Sequence, residues 1–108
     1  MNWVEIPTKY LTQDGIHLVR LPDRTFCLTW CQDRYVAFSR KCPHAGAPME
    51  QGWVDGHHVI CAYHRQRFDL ETGKGEVGQG NFIEIYPTKS EDGKWYVGLK
   101  KSFWQKLF

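Results

Sequence analysis

The sequence predicts an all-β protein, and two observations support this prediction. Short apolar or alternating segments recur at regular intervals, and turn-forming residues separate them. Aromatic residues make up 15% of the chain, and aromatic side chains favour strands. A chain of 108 residues has the length of one domain with a modest single core. We therefore expect residues 1–108 to form one β-sandwich or β-barrel.

The turns between the strands define the predicted elements. Leu21–Arg24 contains a proline and an aspartate in positions that suit a turn, and Asp55-Gly56 and Asp92-Gly93 are typical of hairpins. We expect segments 82–86 and 94–99 to flank the Asp92-Gly93 turn. The full set of predicted strands covers residues 15–21, 25–32, 34–40, 51–54, 57–60, 82–86 and 94–99.

Composition and charge argue against several classes of protein. The formal net charge is only +2, so no basic surface for nucleic acid is indicated. No apolar run reaches the about 18 residues that a membrane-spanning helix needs. The first seven residues lack the basic and apolar regions of a signal peptide. We therefore expect a soluble, cytoplasmic protein with no nucleic-acid partner and no transmembrane segment.

Two short segments each pair a cysteine with a histidine. The first is Cys42-Pro43-His44, and the second, after sixteen intervening residues, is Cys61-Ala62-Tyr63-His64. Thiolate and imidazole are ligands that both iron and zinc accept. Both segments lie in loops next to predicted strand ends. We therefore predict that Cys42, His44, Cys61 and His64 are metal ligands.

Two kinds of metal centre fit this ligand set. One zinc ion would bind it tetrahedrally, giving a zinc-stabilised binding module without a redox role, although the usual finger begins with Cys-x-x-Cys. In the iron–sulfur alternative, two histidines replace two cysteines on one iron of a 2Fe–2S cluster. The order Cys, His, Cys, His lets each loop supply one thiolate and one imidazole. This mixed order favours the iron–sulfur interpretation.

The two ligand segments and their surroundings resemble the Rieske 2Fe–2S protein family. The resemblance is tight from residue 41 to residue 73 and looser elsewhere. It implies an antiparallel β-sandwich with a small cluster-binding subdomain inserted at about residues 41–69, and one 2Fe–2S cluster held by the four predicted ligands. Beyond the ligands, the matching positions are Gly52, Asp55-Gly56, Phe68-Asp69 and Thr72-Gly73.

Four positions depart from the Rieske proteins of quinol-oxidising complexes. Ala47 and Tyr63 stand where those proteins have a disulfide that clamps the two loops. Gln66 and Phe68 stand where they have a serine and a tyrosine that donate hydrogen bonds to the cluster sulfurs. Fewer donors stabilise the reduced cluster less, so we expect a potential near the low end of the Rieske range of about −150 to +300 mV.

These departures make the chain similar to soluble Rieske-type ferredoxins. Such proteins take one electron from a flavoprotein or iron–sulfur reductase and pass it to a terminal oxygenase or another acceptor. The resemblance therefore implies an electron-transfer component, monomeric alone, that is not an enzyme on its own. The small subunit of nitrite reductase has the same fold, so a subunit of an oxidoreductase complex is the alternative function.

Other cysteines and histidines have plainer interpretations. Cys27 and Cys31 lie on one predicted strand about 13 Å apart, which is too far for a disulfide, and we expect buried thiols. His57 and His58 should point to opposite faces of an extended strand, and we expect neither to be a ligand.

The surroundings of the ligand histidines predict a docking surface. We expect His44 and His64 at or just beneath the surface, within an apolar patch that has a basic rim. The surrounding residues are Pro43, Pro48, Met49 and Arg65. The C-terminal segment 102–108 has an apolar helical face, which we expect to pack on its own domain.

Overall fold

A computed structural model describes residues 2–22, 24–40, 46, 48–63, 65–75 and 82–99, and within these ranges the protein is built from β-strands and two short 3₁₀ turns. The all-β prediction is confirmed. The 3₁₀ turns are Thr8–Tyr10 and Met49–Gln51. The strands are β1 (Asn2–Glu5), β2 (Ile16–Leu21), β3 (Arg24–Cys31), β4 (Arg34–Phe38), β5 (Trp53–Asp55), β6 (His58–Ile60), β7 (Arg67–Asp69), β8 (Ile85–Tyr86), β9 (Thr88–Glu91) and β10 (Lys94–Leu99).

The strands form three antiparallel sheets. A four-stranded central sheet has the order β2-β3-β4-β8. A terminal sheet, with the order β1-β10-β9, joins the beginning and the end of the described chain. A small sheet has the order β5-β6-β7, and the second ligand segment lies in the connection between β6 and β7. Residues of the terminal sheet pack on one face of the central sheet, and residues of the small sheet pack on the other.

Alternation along β3 explains how the central sheet is buried on both faces. Successive side chains of a strand point to opposite sides. Phe26 and Leu28 pack against the terminal sheet, whereas Cys27 and Cys31 pack against the small sheet. All four side chains are buried. The expectation that Cys27 and Cys31 share one face as buried thiols outside any disulfide is confirmed.

The last hairpin differs from the sequence prediction. Its turn is at Asp92-Gly93 as expected, but the strand that pairs with β10 is β9 and not segment 82–86. Only Ile85 and Tyr86 of that segment form a strand, and this strand pairs with β4. Pro87 explains the break, because proline has no N–H for a sheet and separates β8 from β9. The chain crosses there from the central to the terminal sheet.

The hairpin of the small sheet is shifted by one residue from the predicted one. Asp55 pairs with His58, so Gly56 and His57 occupy the two central turn positions. Gly56 has φ +63°, which suits the first central position of a type II′ turn. Because His57 lies in the turn and not in the strand, the two histidine rings are close, with centroids 4.2 Å apart. The expectation of opposite faces is wrong for this reason.

Some predictions concern residues that the structure does not describe, and the amphipathic segment 102–108 is one of them. Among the residues that are described, no helix has the length and apolar character required to cross a membrane. The division of the chain into one domain with an inserted subdomain at about residues 41–69 remains a prediction.

Candidate metal centre

Two loops carry the predicted ligands, and only one ligand lies in the described part of the chain. Cys42, His44 and His64 are outside it. Cys61 directly follows β6, and its side chain is completely buried between the central and small sheets. The position confirms that the second ligand segment begins where a hairpin strand ends. The buried side chains of the same core cluster include Cys27, Phe38, Met49, Val59 and Phe68.

Backbone hydrogen bonds close the second ligand loop. Ile60 and Arg67 form the last strand pair, and the Cys61 N–H then donates to the Gln66 carbonyl oxygen at 2.9 Å. Within this loop Arg65 has φ +54°, a left-handed conformation that typically costs a non-glycine residue about 1–3 kcal/mol. The sheet thus fixes both ends of the loop, and the loop tolerates a strained residue beside His64.

Side chains and backbone together close the first ligand loop. The Met49 N–H donates to the Arg40 carbonyl oxygen at 2.7 Å. The Arg40 guanidinium donates through Nε and Nη2 to Oε2 of Glu50, at 3.3 and 3.2 Å. These contacts join the two ends of the segment that contains Cys42 and His44. Sequence reasoning missed this ion pair, because nothing local indicates that Arg40 and Glu50 meet.

The thiol of Cys27 lies against the same carboxylate. Its Sγ is 3.9 Å from Oε1 of Glu50, with the thiol as donor. Burial and the Glu50 carboxylate raise the pKa of Cys27 to about 12, and the Arg40 charge offsets only part of this shift. Cys27 therefore remains a protonated thiol at neutral pH. A metal ligand has to be a thiolate, so this buried cysteine is not suited to that role.

Gly52 brings the end of the first loop close to β6. A Cβ atom at this position would lie 1.9 Å from the Ile60 carbonyl oxygen. Only glycine permits two backbone segments to approach this closely without a shift of one of them. Ile60 directly precedes Cys61, so this contact places the Met49–Gln51 turn beside the strand that presents the second thiol.

The surface near the ligand loops differs in part from the sequence prediction. Met49 is completely buried in the core, so the expectation that it belongs to an exposed apolar patch around the histidines is wrong. Tyr63, within the second loop, is 59% exposed, and Trp53, which pairs with Ile60, is 45% exposed. Arg65 is exposed as expected. Sequence reasoning considered Tyr63 only as a position that lacks a disulfide cysteine, and it did not consider Trp53 at all.

Comparison with known proteins shows which family the chain belongs to. The model of the Rieske [2Fe–2S] domain matches residues 2–97. The chain belongs to the Rieske [2Fe–2S] domain family. Its cofactor is a Rieske-type 2Fe–2S cluster and not the single zinc ion of the alternative interpretation. The described part of the site fits this group, because Cys61 offers a buried thiol at the end of a strand and both ligand loops are closed.

Similar proteins include both short and long members. The ferredoxin component of a naphthalene 1,2-dioxygenase system from Pseudomonas putida is 27% identical over 103 residues, covering 92% of this chain and 97% of that protein. A 4β-methylsterol monooxygenase from Methylococcus capsulatus is 34% identical over 67 residues, but the match spans 53% of this chain and only 18% of the monooxygenase. The solved structure of a Sphingomonas yanoikuyae B1 ferredoxin superimposes with a TM-score of 0.78 at 22% identity, covering 92% of this chain and all of that chain.

Proposed function

We propose that this Rieske protein is a one-electron carrier that receives an electron from a flavoprotein or iron–sulfur reductase and passes it to a terminal oxygenase. The observation that carries the proposal is a family match over residues 2–97 together with a relative of nearly the same extent. That relative is the ferredoxin component of a dioxygenase system. A cytoplasmic location and a monomeric state belong to the same proposal.

The proposed ligands are the cysteines for one iron and the histidines for the other. When bound, the cluster supplies a site for one reversible electron. The chain contributes Cys42 and Cys61 as thiolates, and His44 and His64 as imidazoles. Three features of the described residues support this assignment: the burial of Cys61, the closure of the second loop at Gln66 and the closure of the first loop at Arg40. Each feature limits the movement of a ligand segment.

The described residues near Cys61 support a low reduction potential. Phe68 is completely buried in the same core cluster as Cys61, and it has no hydroxyl group to donate to a sulfur atom. Fewer hydrogen bonds to the sulfurs leave the extra electron less stabilised. We therefore expect a midpoint potential near the low end of the Rieske range, close to about −150 mV.

The surface beside the second loop is suited to a brief encounter with a partner. Tyr63 and Trp53 expose apolar rings, and Arg65 adds a positive charge. Aromatic residues are favoured in the buried centre of protein interfaces, and a charge at the rim mainly speeds association. We propose that the redox partners dock on these three side chains.

Electron transfer between purified components tests the function. The cluster-loaded protein would be mixed with NADH and the flavoprotein reductase of a Rieske dioxygenase system, and then with the oxidised terminal oxygenase. We expect reduction of the cluster by the first component and reoxidation by the second, each followed by its visible absorbance. Arg65→Glu should slow at least one step at low ionic strength, and the difference should shrink as salt is added.

The same experiment separates the function from the cofactor. If a protein with an intact Rieske spectrum exchanges electrons with neither component, the carrier function is wrong while the cluster assignment stands. That outcome would favour the alternative of a subunit that works only inside an oxidoreductase complex. A midpoint potential well above zero would contradict the argument from Phe68.

A further inference from the structure

A cluster of two histidines and one aspartate lies at the end of the small sheet opposite the second ligand loop. His58 and Asp69 are directly paired across β6 and β7. His57 occupies the adjoining turn, and its carbonyl oxygen accepts a hydrogen bond from the Leu70 N–H at 2.9 Å. One ligand atom from each of His57, His58 and Asp69 lies within 4.8 Å of the other two.

We propose that His57, His58 and Asp69 form a second metal site, which binds one divalent transition-metal ion through two imidazole nitrogens and one carboxylate oxygen. Bonds of about 2.0–2.2 Å from zinc to nitrogen and oxygen require ligand atoms roughly 3.0–3.5 Å apart. Nε2 of His57 and Oδ2 of Asp69 are already 3.6 Å apart. Small rotations of partly exposed side chains bring the set to binding distance.

Hydrogen bonds from the backbone orient the carboxylate of Asp69. Its Oδ1 accepts hydrogen bonds from the backbone N–H groups of Glu71, at 2.7 Å, and Thr72, at 3.2 Å. These bonds orient Oδ2 toward His57. An aspartate carboxylate is ionised at neutral pH, so the group can bind a cation without first losing a proton.

A hydrogen bond from the central sheet fixes the turn that carries His57. Sγ of Cys31 donates to the Gly56 carbonyl oxygen at 3.3 Å, which ties the turn to the central sheet. Asp55 lies directly across from His58 on the neighbouring strand β5. Its Oδ2 is instead paired with Nη1 of Arg67, at 3.2 Å. Asp69 is thus the carboxylate that faces the two imidazoles, and Asp55 provides a matched control.

The ligand types decide the class of metal. Two imidazoles with one carboxylate suit zinc, nickel and copper, whereas calcium and magnesium prefer sites made only of oxygen. A bound ion would join the β5–β6 turn to the turn after β7. The β6–β7 pair would then be fixed at both ends, by the iron–sulfur cluster at one and by this ion at the other.

Calorimetric titration of the cluster-loaded protein with Zn²⁺ tests the site. We expect one ion per chain, no binding of Ca²⁺ under the same conditions, and an unchanged visible spectrum of the iron–sulfur cluster. Asp69→Asn should weaken zinc binding at least tenfold while preserving the acceptor for the Glu71 and Thr72 N–H groups. Asp55→Asn should leave zinc binding unchanged.

A second pair of variants distinguishes loss of the metal site from a folding defect. His57→Gln, at a half-exposed position, should also lose at least tenfold in zinc affinity, whereas His17→Gln, at a histidine that contacts Thr12, should not. Thermal unfolding should shift upward with zinc only in proteins that keep the site. The site is refuted if the wild-type protein binds no zinc, or if the variants at His57 and Asp69 bind it as well as the wild type does.

Discussion

The two faces of the central sheet are buried by different means. On the terminal-sheet side, large rings pack edge to face: the centroids of Trp30 and Tyr35 are 4.8 Å apart, and those of Tyr35 and Trp95 are 5.1 Å apart. On the small-sheet side the core contains three cysteines and a methionine, and the covering strands have three residues each. The difference teaches that large aromatic side chains cover the first face, whereas short strands and the loops with the predicted ligands cover the second.

The reason is the size of the small sheet. Strands this short bury little apolar surface, and a sheet of this kind has marginal stability without further support. Close backbone contact at Gly52 and the Arg40–Glu50 ion pair provide that support at separate points, and a cluster bound by the proposed ligands would add a third. Changes on this side should therefore affect the cofactor, and matched changes on the other side should not.

The largest expected effect comes from the cysteines of the small-sheet side. Cys61→Ala should abolish the cluster, because one iron loses a thiolate, and iron and acid-labile sulfide should fall from about two each per chain to nearly none. Cys27→Ala should keep both, since Cys27 is a protonated core thiol. Iron and sulfide analysis, together with the visible circular dichroism spectrum, measures the cluster content of the two variants. A cluster retained in Cys61→Ala would refute the proposed ligand set.

The next effect concerns the backbone contact at Gly52. Gly52→Ala places a Cβ atom against the Ile60 carbonyl oxygen, and the required shift should destabilise the fold by about 3 kcal/mol and speed loss of the cluster. Gly93→Ala, in the β9–β10 turn, meets no atom within 4 Å and should cost only about 1–2 kcal/mol for its positive φ. Chemical unfolding and the decay of cluster absorbance provide the measurements. Equal rates of cluster loss in the two variants would contradict this account.

The smallest effect should come from the ion pair at the first loop. Glu50→Gln weakens the contact with Arg40, and a loss of about 1 kcal/mol corresponds to cluster release about fivefold faster. Glu91→Gln removes the charge from an exposed pair with Lys89 on the terminal sheet and should leave cluster release unchanged. Release is followed with an iron chelator at low and high salt. Identical behaviour of the two variants would show that the backbone bond from Met49 to Arg40 is enough to close the loop.

The sequence by itself predicted the all-β class and favoured an iron–sulfur cofactor. The four ligands could be proposed because the spacing within each segment is local: Cys42, His44, Cys61 and His64. Turn residues such as Asp92-Gly93 are local signals as well, and that turn was found where expected. Alternation within one strand was sufficient to place Cys27 and Cys31 on one buried face.

Only the tertiary structure decided which segments meet. Strand β9 was missed because its choice of partner depends on the break at Pro87 and on which sheet has an available edge. Met49 was misplaced because its burial depends on the small sheet folding over it. His57, His58 and Asp69 are brought together by a one-residue shift of a turn and by the pairing of β6 with β7. The approach of His58 to Asp69 and the burial of Met49 join segments that are separate in sequence, so no pattern within one strand encodes them.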